Sequence, residues 1–329
     1  MTVAATLPTL NDAVLSAALT GLNVKGQKTL PPWLFYDDLG SALFEQITTL
    51  PEYYLTRTER ALFTAHAAEI VSALGSDITL AELGAGSAAK TGILLSAASA
   101  AQPNVLYQPI DISSSALDEA AVSIAAHIPG VAIIPQVANY ITERYTITRP
   151  AHHKVLALYI GSSIGNFSSA EAISILCNLR HHLAPGDALL LGVDLAPTAN
   201  GSSSHKSVDT LLAAYDDATG VTAAFNKNIL TRLNRELAAD FDLSRFAHRA
   251  RWNARDSRIE MHLESLADHA VHIAGKRIPF AAGETIHTEN SHKFTTKALT
   301  TLLTNAHFTP TRTFTDADHT FAVTLATAV

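Results

Sequence analysis

Gly84 and Gly86 carry the clearest chemical signal in the sequence. They follow an apolar run, Ile78–Leu83, and precede a helical pattern. Glycines at such a turn let the backbone bend tightly and let a ligand lie directly on it. Ala89 replaces the third glycine of the dinucleotide-binding pattern, and the Gly-Lys-Ser/Thr ending of a P-loop is absent. The turn therefore indicates a nucleoside ligand without phosphates, such as S-adenosylmethionine.

Polar residues follow the next apolar runs. We expect the Asp111 carboxylate to accept hydrogen bonds from two ribose hydroxyls, although it could instead cap the following helix. Asn139 and Tyr140 suit an adenine amino group and ring, with an ordinary loop role as the alternative for Asn139. Lys90 lies in the first turn of a helix, where the helix dipole disfavours a cation. We therefore expect a ligand carboxylate beside it.

The segment Gly161–Phe167 follows the fourth apolar run and begins with small residues. Small side chains there leave room for a substrate to approach a sulfonium methyl group. Asn166 offers a hydrogen-bond donor and an acceptor, which suits the head group of an α-amino acid. Neither a His-Glu-x-x-His motif nor a cysteine–histidine cluster is present, so we predict no metal site. The Gly-x-Ser-x-Gly elbow of hydrolases is also absent.

The elements that position these residues alternate from residue 77 onward. The pattern predicts helices that include Ser114–His127 and Ser169–Leu183, and strands at Ile78–Leu83, Val105–Ile112, Val131–Val137, Val155–Ile160 and Ala188–Val193. Apolar strands alternating with helices indicate a parallel sheet covered on both faces, with ligands at the carboxyl ends of the strands. His319–Ala328 alternates like a final, antiparallel strand. We predict an α/β, Rossmann-like class I methyltransferase fold with a seven-stranded, mostly parallel sheet.

Two segments, 1–60 and 197–286, do not fit this alternation. The second begins with a polar linker, Asn200–His205, and continues with one helical stretch, Val208–Asn234. Arg258–Leu266 and Ala270–Ile278 then alternate like strands. We predict that both segments form a discontinuous α+β substrate-binding lid domain, and that residues 61–196 and 287–329 form the S-adenosylmethionine-binding domain.

Composition narrows the functional class. Hydrophobic residues make up 47% of the 329 residues and charged residues 16%, which excludes global disorder. The net charge of -7 argues against general nucleic-acid binding. One cysteine cannot form an intrachain disulfide and suits a reducing compartment. No signal peptide is evident in Met1–Leu10 and no membrane span in the chain, so we expect a cytoplasmic protein, which we predict to be a monomer.

Five longer motifs are more specific than the glycine turn. They are Leu34–Asp37, Leu50–Glu59, Ala214–Asn226, Arg258–Met261 and Thr288–Phe294. Together they resemble the histidine-specific Nα-methyltransferases, which make hercynine for ergothioneine biosynthesis. The resemblance extends from about residue 30 to the C-terminus.

The resemblance implies three groups of site residues. The histidine-binding group is Tyr53, Asn166, Tyr215, Met261, Glu289, Asn290 and Ser291. The cofactor-binding group is Phe44, Gly84, Gly86, Lys90, Asp111, Asn139 and Tyr140. The residues closest to the chemistry are Tyr36 and Asn166. Asn139 stands where the family usually has an acid, and Asn290 where an apolar residue is common.

The implied activity is S-adenosylmethionine-dependent Nα-trimethylation of L-histidine, with S-adenosylhomocysteine as the second product. An alternative keeps the fold but methylates another amino acid, such as tryptophan or a derivative. Glu289 and Met261 favour imidazole over indole, because an acid suits recognition of a ring with two nitrogens. A further alternative is a binding subunit that holds the cofactor without transferring a methyl group.

Overall fold

The computed structural model describes residues 10–75, 77–197 and 206–329. Within these residues the helices are α1 (Leu10–Leu22), α2 (Asp38–Thr49), α3 (Tyr54–Ser72), α4 (Thr91–Ala101), α5 (Ser114–His127), α6 (Ser169–His181), α7 (Val208–Tyr215), α8 (Val221–Leu237) and α9 (Thr296–Asn305). The predicted linker Asn200–His205 and nearly all of Met1–Leu10 lie outside the described residues. Among the described helices, none is long and apolar enough to cross a membrane.

The strands of the described residues belong to three sheets. They are β1 (Lys28–Thr29), β2 (Ile78–Leu83), β3 (Val105–Asp111), β4 (Val131–Ile133), β5 (Gln136–Val137), β6 (Lys154–Tyr159), β7 (Ala188–Asp194), β8 (Phe246–Asn253), β9 (Arg258–Ser265), β10 (His269–Ile273), β11 (Lys276–Phe280), β12 (Thr285–His292), β13 (Phe308–Thr315) and β14 (Phe321–Ala328).

The chain divides into two compact units. The small unit comprises Met1–Glu52, Leu212–Asn253 and Ile259–Asn290, and the large unit comprises Tyr53–Leu211, Ala254–Arg258 and Ser291–Val329. These boundaries differ from the predicted domain limits of 60, 197 and 286. Helix α3 belongs to the large unit because it packs against α4 and β14. The first residues of α7, up to Leu211, also belong to the large unit.

The large unit is built on a sheet with the strand order β13-β14-β7-β6-β2-β3-β4. Neighbours from β7 to β4 pair in parallel, whereas β14 is antiparallel to both β7 and β13. Every residue of β2 and of β7 is buried, as expected for strands covered on both faces. The predicted α/β fold with a mostly parallel, seven-stranded sheet and an antiparallel last strand is confirmed.

Two details of this sheet differ from the prediction. The run Val131–Val137 forms two short strands, β4 and β5, both paired with β3. Pro135 lies between them and has no N–H to donate, so the ladder is interrupted there. β5 is therefore an eighth strand beside the seven-stranded path. Strand β13 was not predicted, because its mostly exposed threonines and Pro310 do not resemble a buried strand.

The small unit contains a four-stranded sheet with the order β1-β12-β9-β8 and the hairpin β10-β11. Helix α8 packs against α1, α2 and β8. The prediction of one helical stretch over Val208–Asn234 is wrong, because the chain turns between α7 and α8. Asp217 accepts hydrogen bonds there from the Val221 and Thr222 N–H groups, and Gly220 has a φ of +79°. Ala270–Ile278 is likewise a hairpin rather than one strand.

Candidate functional site

The glycine turn lies directly after β2 in the large unit. Gly84 and Gly86 have φ values of +69° and +51°, a region that favours glycine. A Cβ atom at Gly86 would meet nothing within 4 Å, so the turn leaves open space above its backbone. The Gly86 N–H donates to Asp111 Oδ2 at 2.9 Å, which joins this turn to the end of β3. The backbone of the turn is therefore open to a ligand at Gly86.

Asp111 is positioned by backbone donors on both sides of its carboxylate. Oδ1 accepts from the Ser113 N–H and Oδ2 from the Gly86 N–H, each at 2.9 Å. Burial raises the pKa of this carboxyl, and the backbone hydrogen bonds oppose that shift. Helix α5 is capped by Ser113, whose Oγ accepts from the Ala116 N–H. The capping alternative for Asp111 is therefore wrong, and each oxygen keeps acceptor capacity for a hydroxyl.

Asn139 and Tyr140 follow β5 at the same edge of the sheet. Asn139 Oδ1 accepts from the Ile141 N–H at 3.1 Å, which is the turn geometry of the loop alternative. The oxygen that the prediction assigned to adenine therefore already has one donor. The Tyr140 hydroxyl lies 3.2 Å from that of Tyr159, and burial raises its pKa to about 12. A Cβ atom at Gly84 would lie 3.6 Å from the Tyr140 ring, so this ring borders the turn.

Lys90 has a protein counter-charge that the sequence did not reveal. Its ammonium pairs with Glu59 of α3, and the Glu59 side chain is 0% exposed. Both Glu59 oxygens also accept from the Gly161 N–H, at 2.9 and 3.0 Å. A Cβ atom at Gly192 of β7 would lie 2.0 Å from Glu59 Oε1, so a larger residue there would displace the Glu59 carboxylate. Glu59 thus supplies a counter-charge for Lys90, so the position of this cation in the first turn of a helix does not by itself require a ligand carboxylate. A ligand carboxylate beside Lys90, as a cofactor contact, stays a prediction.

Glu82, two residues before Gly84, fixes the backbone that leads into the turn through buried hydrogen bonds. Its carboxylate accepts hydrogen bonds from Thr91 Oγ1 at 2.9 and 2.8 Å and from the Tyr107 hydroxyl. Burial raises the pKa of Glu82 to about 7, against the lowering effect of these hydrogen bonds. Glu82 thus connects β2 to the start of α4 and to β3.

A buried ionic network lies at the carboxyl end of β7. Asp194 accepts from the Tyr54 hydroxyl at 2.9 and 2.8 Å and pairs with the ammonium groups of Lys206 and Lys293. Burial opposes ionisation of Asp194, but the two lysines hold its pKa below the ordinary value. Burial lowers the pKa of Lys206 to about 8. Lys293 also donates to Ser291 Oγ at 2.8 Å.

Asn166 ends a 3₁₀ turn, Ser163–Asn166, that follows β6. The turn begins at Ser162, which has a φ of +62° and whose Oγ accepts from the Asp194 N–H. Gly165 packs closely against His292, because a Cβ atom there would lie 2.9 Å from the His292 carbonyl oxygen. His292 Nδ1 lies 2.8 Å from the Gly165 carbonyl oxygen. Asn166 is therefore held at a fixed, half-buried position in the large unit.

In the small unit, Tyr36 belongs to a cluster of aromatic rings. Its ring lies 5.9 Å from Phe44 and 6.0 Å from Phe225, both in edge-to-face geometry. Phe225 also stacks on Phe35 at 4.5 Å. Asp37 fixes the following backbone by capping α2 through the Gly40 N–H at 2.7 Å. The sequence predicted Tyr36 and Phe44 as site residues but gave Phe225 no role.

The predicted imidazole contacts are on β9 and β12. Glu289 and Ser291 are two residues apart on β12 and therefore point to one face, whereas Asn290 points to the other. Asn290 therefore points away from its two neighbours, and its predicted contact with histidine stays a prediction. Its Oδ1 is a buried acceptor without a hydrogen-bond partner. Met261 is buried, and its carbonyl oxygen accepts from the Thr288 hydroxyl at 3.0 Å.

One group with metal-ligand chemistry, which we call the His262 cluster, lies in the small unit. Potential ligand atoms of Glu260, His262 and His287 lie within 4.8 Å of one another. His262 Nε2 is 3.1 Å from Glu260 Oε2, and His287 Nε2 is 3.0 Å from the Glu289 carbonyl oxygen. Burial lowers the pKa of His262 to about 4, so its ring is neutral near pH 7. Glu260 and His262 thus meet through a hydrogen bond, and the rings of His262 and His287 stack with their centroids 4.7 Å apart.

The two units do not divide the predicted residues into a cofactor side and a histidine side. The large unit holds most of the cofactor group but also three predicted histidine contacts, Tyr53, Asn166 and Ser291. Phe44, predicted to lie near the cofactor, belongs to the small unit with Tyr215, whose carbonyl oxygen accepts from His248 Nε2. The roles of Glu59 and of the network around Asp194 were not predicted from the sequence, because no local pattern indicates contacts between residues so far apart along the chain.

Comparison with known proteins agrees with this geometry. The family described as "Histidine-specific methyltransferase, SAM-dependent" matches residues 14–328. A histidine N-alpha-methyltransferase of Mycolicibacterium smegmatis is 42% identical, with 91% of this chain and 90% of the relative covered. The protein of the same description from Mycobacterium tuberculosis is 40% identical, with 92% and 91% covered.

A third relative is larger. Ergothioneine biosynthesis protein 1 of Neurospora crassa is 32% identical, with 64% of this chain and 23% of that protein covered. The family match extends over nearly the whole chain, and the large unit has the sheet that such a methyltransferase requires. The chain belongs to the family of S-adenosylmethionine-dependent, histidine-specific methyltransferases.

Proposed function

We propose that the protein methylates the α-amine of L-histidine three times, giving hercynine and S-adenosylhomocysteine, as a step of ergothioneine biosynthesis. The observation that carries the proposal is the end-to-end similarity to a histidine N-alpha-methyltransferase. The name of the Neurospora crassa relative supports the pathway. The residue types assigned below to a nucleoside methyl donor and to an amino acid support the chemistry.

S-adenosylmethionine fits the large unit at the glycine turn. The open space above Gly86 suits a ribose, and so do the two Asp111 oxygens, each of which is held by one backbone N–H. The Tyr140 ring beside Gly84 offers an aromatic face. When bound there, the cofactor supplies a methyl group on a positively charged sulfur. Nothing in this turn resembles a phosphate-binding loop. These features favour a nucleoside with a short charged tail over a nucleotide.

The protein's task in methyl transfer is positioning, because the reaction is a direct displacement. The amine nitrogen must lose its proton before it forms a bond to the methyl carbon, while the carbon–sulfur bond breaks. We assign Tyr36 to orient the amine and pass its proton to water. The rings of Tyr36, Phe44 and Phe225 suit the growing methylammonium charge through cation–π attraction. No covalent nucleophile is needed.

Recognition of histidine requires contacts at both ends of the amino acid. We assign Tyr53, Asn166 and Tyr215 to the carboxylate and head group, as hydrogen-bond donors. We assign the shared face of Glu289 and Ser291 on β12 to the imidazole nitrogens, and Met261 to the ring surface. An indole ring has only one nitrogen and would leave one of these polar groups without a partner. That cost favours histidine over tryptophan.

A product assay tests the proposal. The protein is incubated with S-adenosylmethionine and either histidine or tryptophan, and products are identified by mass spectrometry. We expect trimethylated histidine and unmodified tryptophan. Unmodified histidine, or faster conversion of tryptophan, would contradict the proposal.

Two variants assign the roles within the same assay. We expect Glu289→Ala to raise KM for histidine by about ten-fold or more, because a charged hydrogen-bond partner is lost. We expect Tyr36→Phe mainly to lower kcat. Glu264→Ala, on β9 and paired with Arg249, is the matched control and should change neither value by more than about two-fold. Equal, negligible effects of the first two variants would contradict their roles.

A further inference from the structure

One face of helix α8 fixes the chain on both sides of Tyr36. The guanidinium of Arg232 donates to the Leu34 carbonyl oxygen at 3.1 Å, and Asn228 Nδ2 donates to Asp37 Oδ1 at 2.7 Å. The two donors are one helical turn apart and therefore lie on the same side of the helix. Since the backbone is held before and after Tyr36, the position of its side chain depends on the rings that it contacts.

Phe225 lies one helical turn before Asn228 on the same face of α8. Its ring centroid is 6.0 Å from that of Tyr36 and 6.0 Å from that of Phe44, and it stacks on Phe35 at 4.5 Å. Phe225 is 2% exposed, whereas Tyr36 and Phe44 are half-buried. The two half-buried rings are therefore open to a ligand on one side, and the buried Phe225 ring packs against both of them.

The amine of the proposed substrate loses hydrogen-bond donors as it gains methyl groups. In the deprotonated form that attacks a methyl carbon, a primary amine has two N–H groups, a methylamine has one and a dimethylamine has none. The lone pair must face the methyl carbon, so it accepts no hydrogen bond during the attack. The Tyr36 hydroxyl oxygen can therefore accept from the amine in the first two transfers but not in the third. In the third transfer, the nitrogen itself is oriented by packing and by cation–π attraction to the rings.

We propose that Phe225 is a positioning residue for the third methyl transfer, because it holds the Tyr36 and Phe44 rings in place against the dimethylamine. The inference rests on the proposed function, which assigns these rings to the amine. In this step the nitrogen lone pair forms the bond to the methyl carbon, the carbon–sulfur bond breaks, and the positive charge moves from sulfur to nitrogen. A displaced ring slows this step more than the first, since no N–H group can compensate for it.

The variant Phe225→Leu keeps a buried apolar side chain but removes the ring. Its kcat/KM is measured with histidine, which reports the first transfer, and with Nα,Nα-dimethylhistidine, which reports the third. We expect the value for dimethylhistidine to fall about ten-fold more than the value for histidine, because a small misplacement of a reacting group costs a large factor in rate. When histidine is the acceptor, dimethylhistidine should accumulate, as detected by mass spectrometry.

The variant Phe246→Leu is the matched control in the same unit. Phe246 is 1% exposed, and its ring lies 5.8 Å from Phe241 and 5.3 Å from Phe280. We expect its ratio of the two kcat/KM values to stay within about two-fold of the unsubstituted protein, because a loss of packing alone affects both transfers alike. An unchanged ratio in Phe225→Leu, or an equal shift of the ratio in Phe246→Leu, would overturn the inference.

Two further measurements keep the inference testable if Phe225→Leu does not fold. Phe225→Met, whose flexible side chain fills irregular gaps but has no ring, should shift the ratio in the same direction. In the unsubstituted protein, kcat/KM for dimethylhistidine should lie within about three-fold of the value for histidine, because the fixed rings replace the lost hydrogen bonds. A value about ten-fold lower would overturn the inference. Failure to methylate histidine at all would instead contradict the proposed function.

Discussion

Replacing Glu82 with glutamine tests whether the buried carboxyl that precedes the glycine turn has a raised pKa. Glu82 is 1% exposed and accepts hydrogen bonds from Thr91 and Tyr107. Burial raises the pKa of its carboxyl from 4.5 to about 7. The buried carboxyl therefore carries a proton under mildly acidic conditions, where the same group in an unfolded chain would be ionised.

The sign of the effect on stability follows from this difference in protonation. Between about pH 4.5 and 7 the folded protein holds a proton that the unfolded chain has released, so the free energy of unfolding falls as pH rises. Below that range both states are protonated, and above it both are ionised. The raised pKa corresponds to a loss of about 3 kcal/mol across the range. Glutamine cannot ionise and should remove this loss.

Urea unfolding at about pH 4.5 and about pH 8 measures the effect. We expect the Glu82→Gln variant to gain about 2–3 kcal/mol relative to the unsubstituted protein between these two values. Glu119→Gln, on the exposed surface of α5, is the control and should show no such relative gain. If Glu82→Gln and the unsubstituted protein lose stability in parallel as pH rises, Glu82 has no raised pKa and the reasoning fails.

Three further predictions concern the other parts of the site. Glu59→Gln should lower the free energy of unfolding by about 3 kcal/mol, measured by thermal or urea unfolding, because the variant leaves the Lys90 ammonium beside a buried amide. The control, Glu69→Gln on the same helix, should lower it by less than about 1 kcal/mol. Equal losses would contradict a special role for Glu59. Asp111→Asn should raise Kd for S-adenosylmethionine by about ten-fold or more in calorimetry, with KM for histidine nearly unchanged; an unchanged Kd would remove Asp111 from the cofactor site. Dialysis against EDTA should leave turnover unchanged, because a hydrogen bond and a ring stack hold the His262 cluster together and the proposed chemistry needs no metal; a loss restored by Zn²⁺ would refute this.

Features that depend on neighbouring residues could be predicted from the sequence. Strand β2 and helix α5 begin and end where their patterns predicted, because a buried strand and a capped helix leave strong local signals. The positive φ values of Gly84 and Gly86 follow from their place between a strand and a helix. The break between α7 and α8 was missed, although Gly220 marks it, because the apolar periodicity continues on both sides.

Features that depend on the tertiary fold could not be predicted. Glu59 and Lys90 are 31 residues apart, and Tyr54 and Asp194 are 140 apart, so no local pattern joins them. The sequence placed a cation at Lys90 but could not tell a protein carboxylate from a ligand carboxylate. Similarly, Ser291 was predicted as a histidine contact, but the hydrogen bond that it accepts from Lys293, which pairs with Asp194 at the end of β7, was not predicted.

The Glu59 carboxylate has a consequence for changing the acceptor specificity of this enzyme by directed evolution. It holds the helix that follows the glycine turn, through Lys90, and the loop that leads to Asn166, through the Gly161 N–H. Gly192 leaves the space that this carboxylate occupies, because a Cβ atom there would lie 2.0 Å from Glu59 Oε1. We therefore expect libraries that vary the Gly161 loop for a new acceptor also to alter donor affinity unless Glu59, Lys90 and Gly192 are kept. Donor and acceptor preferences should then be separable only in libraries that leave these three residues unchanged.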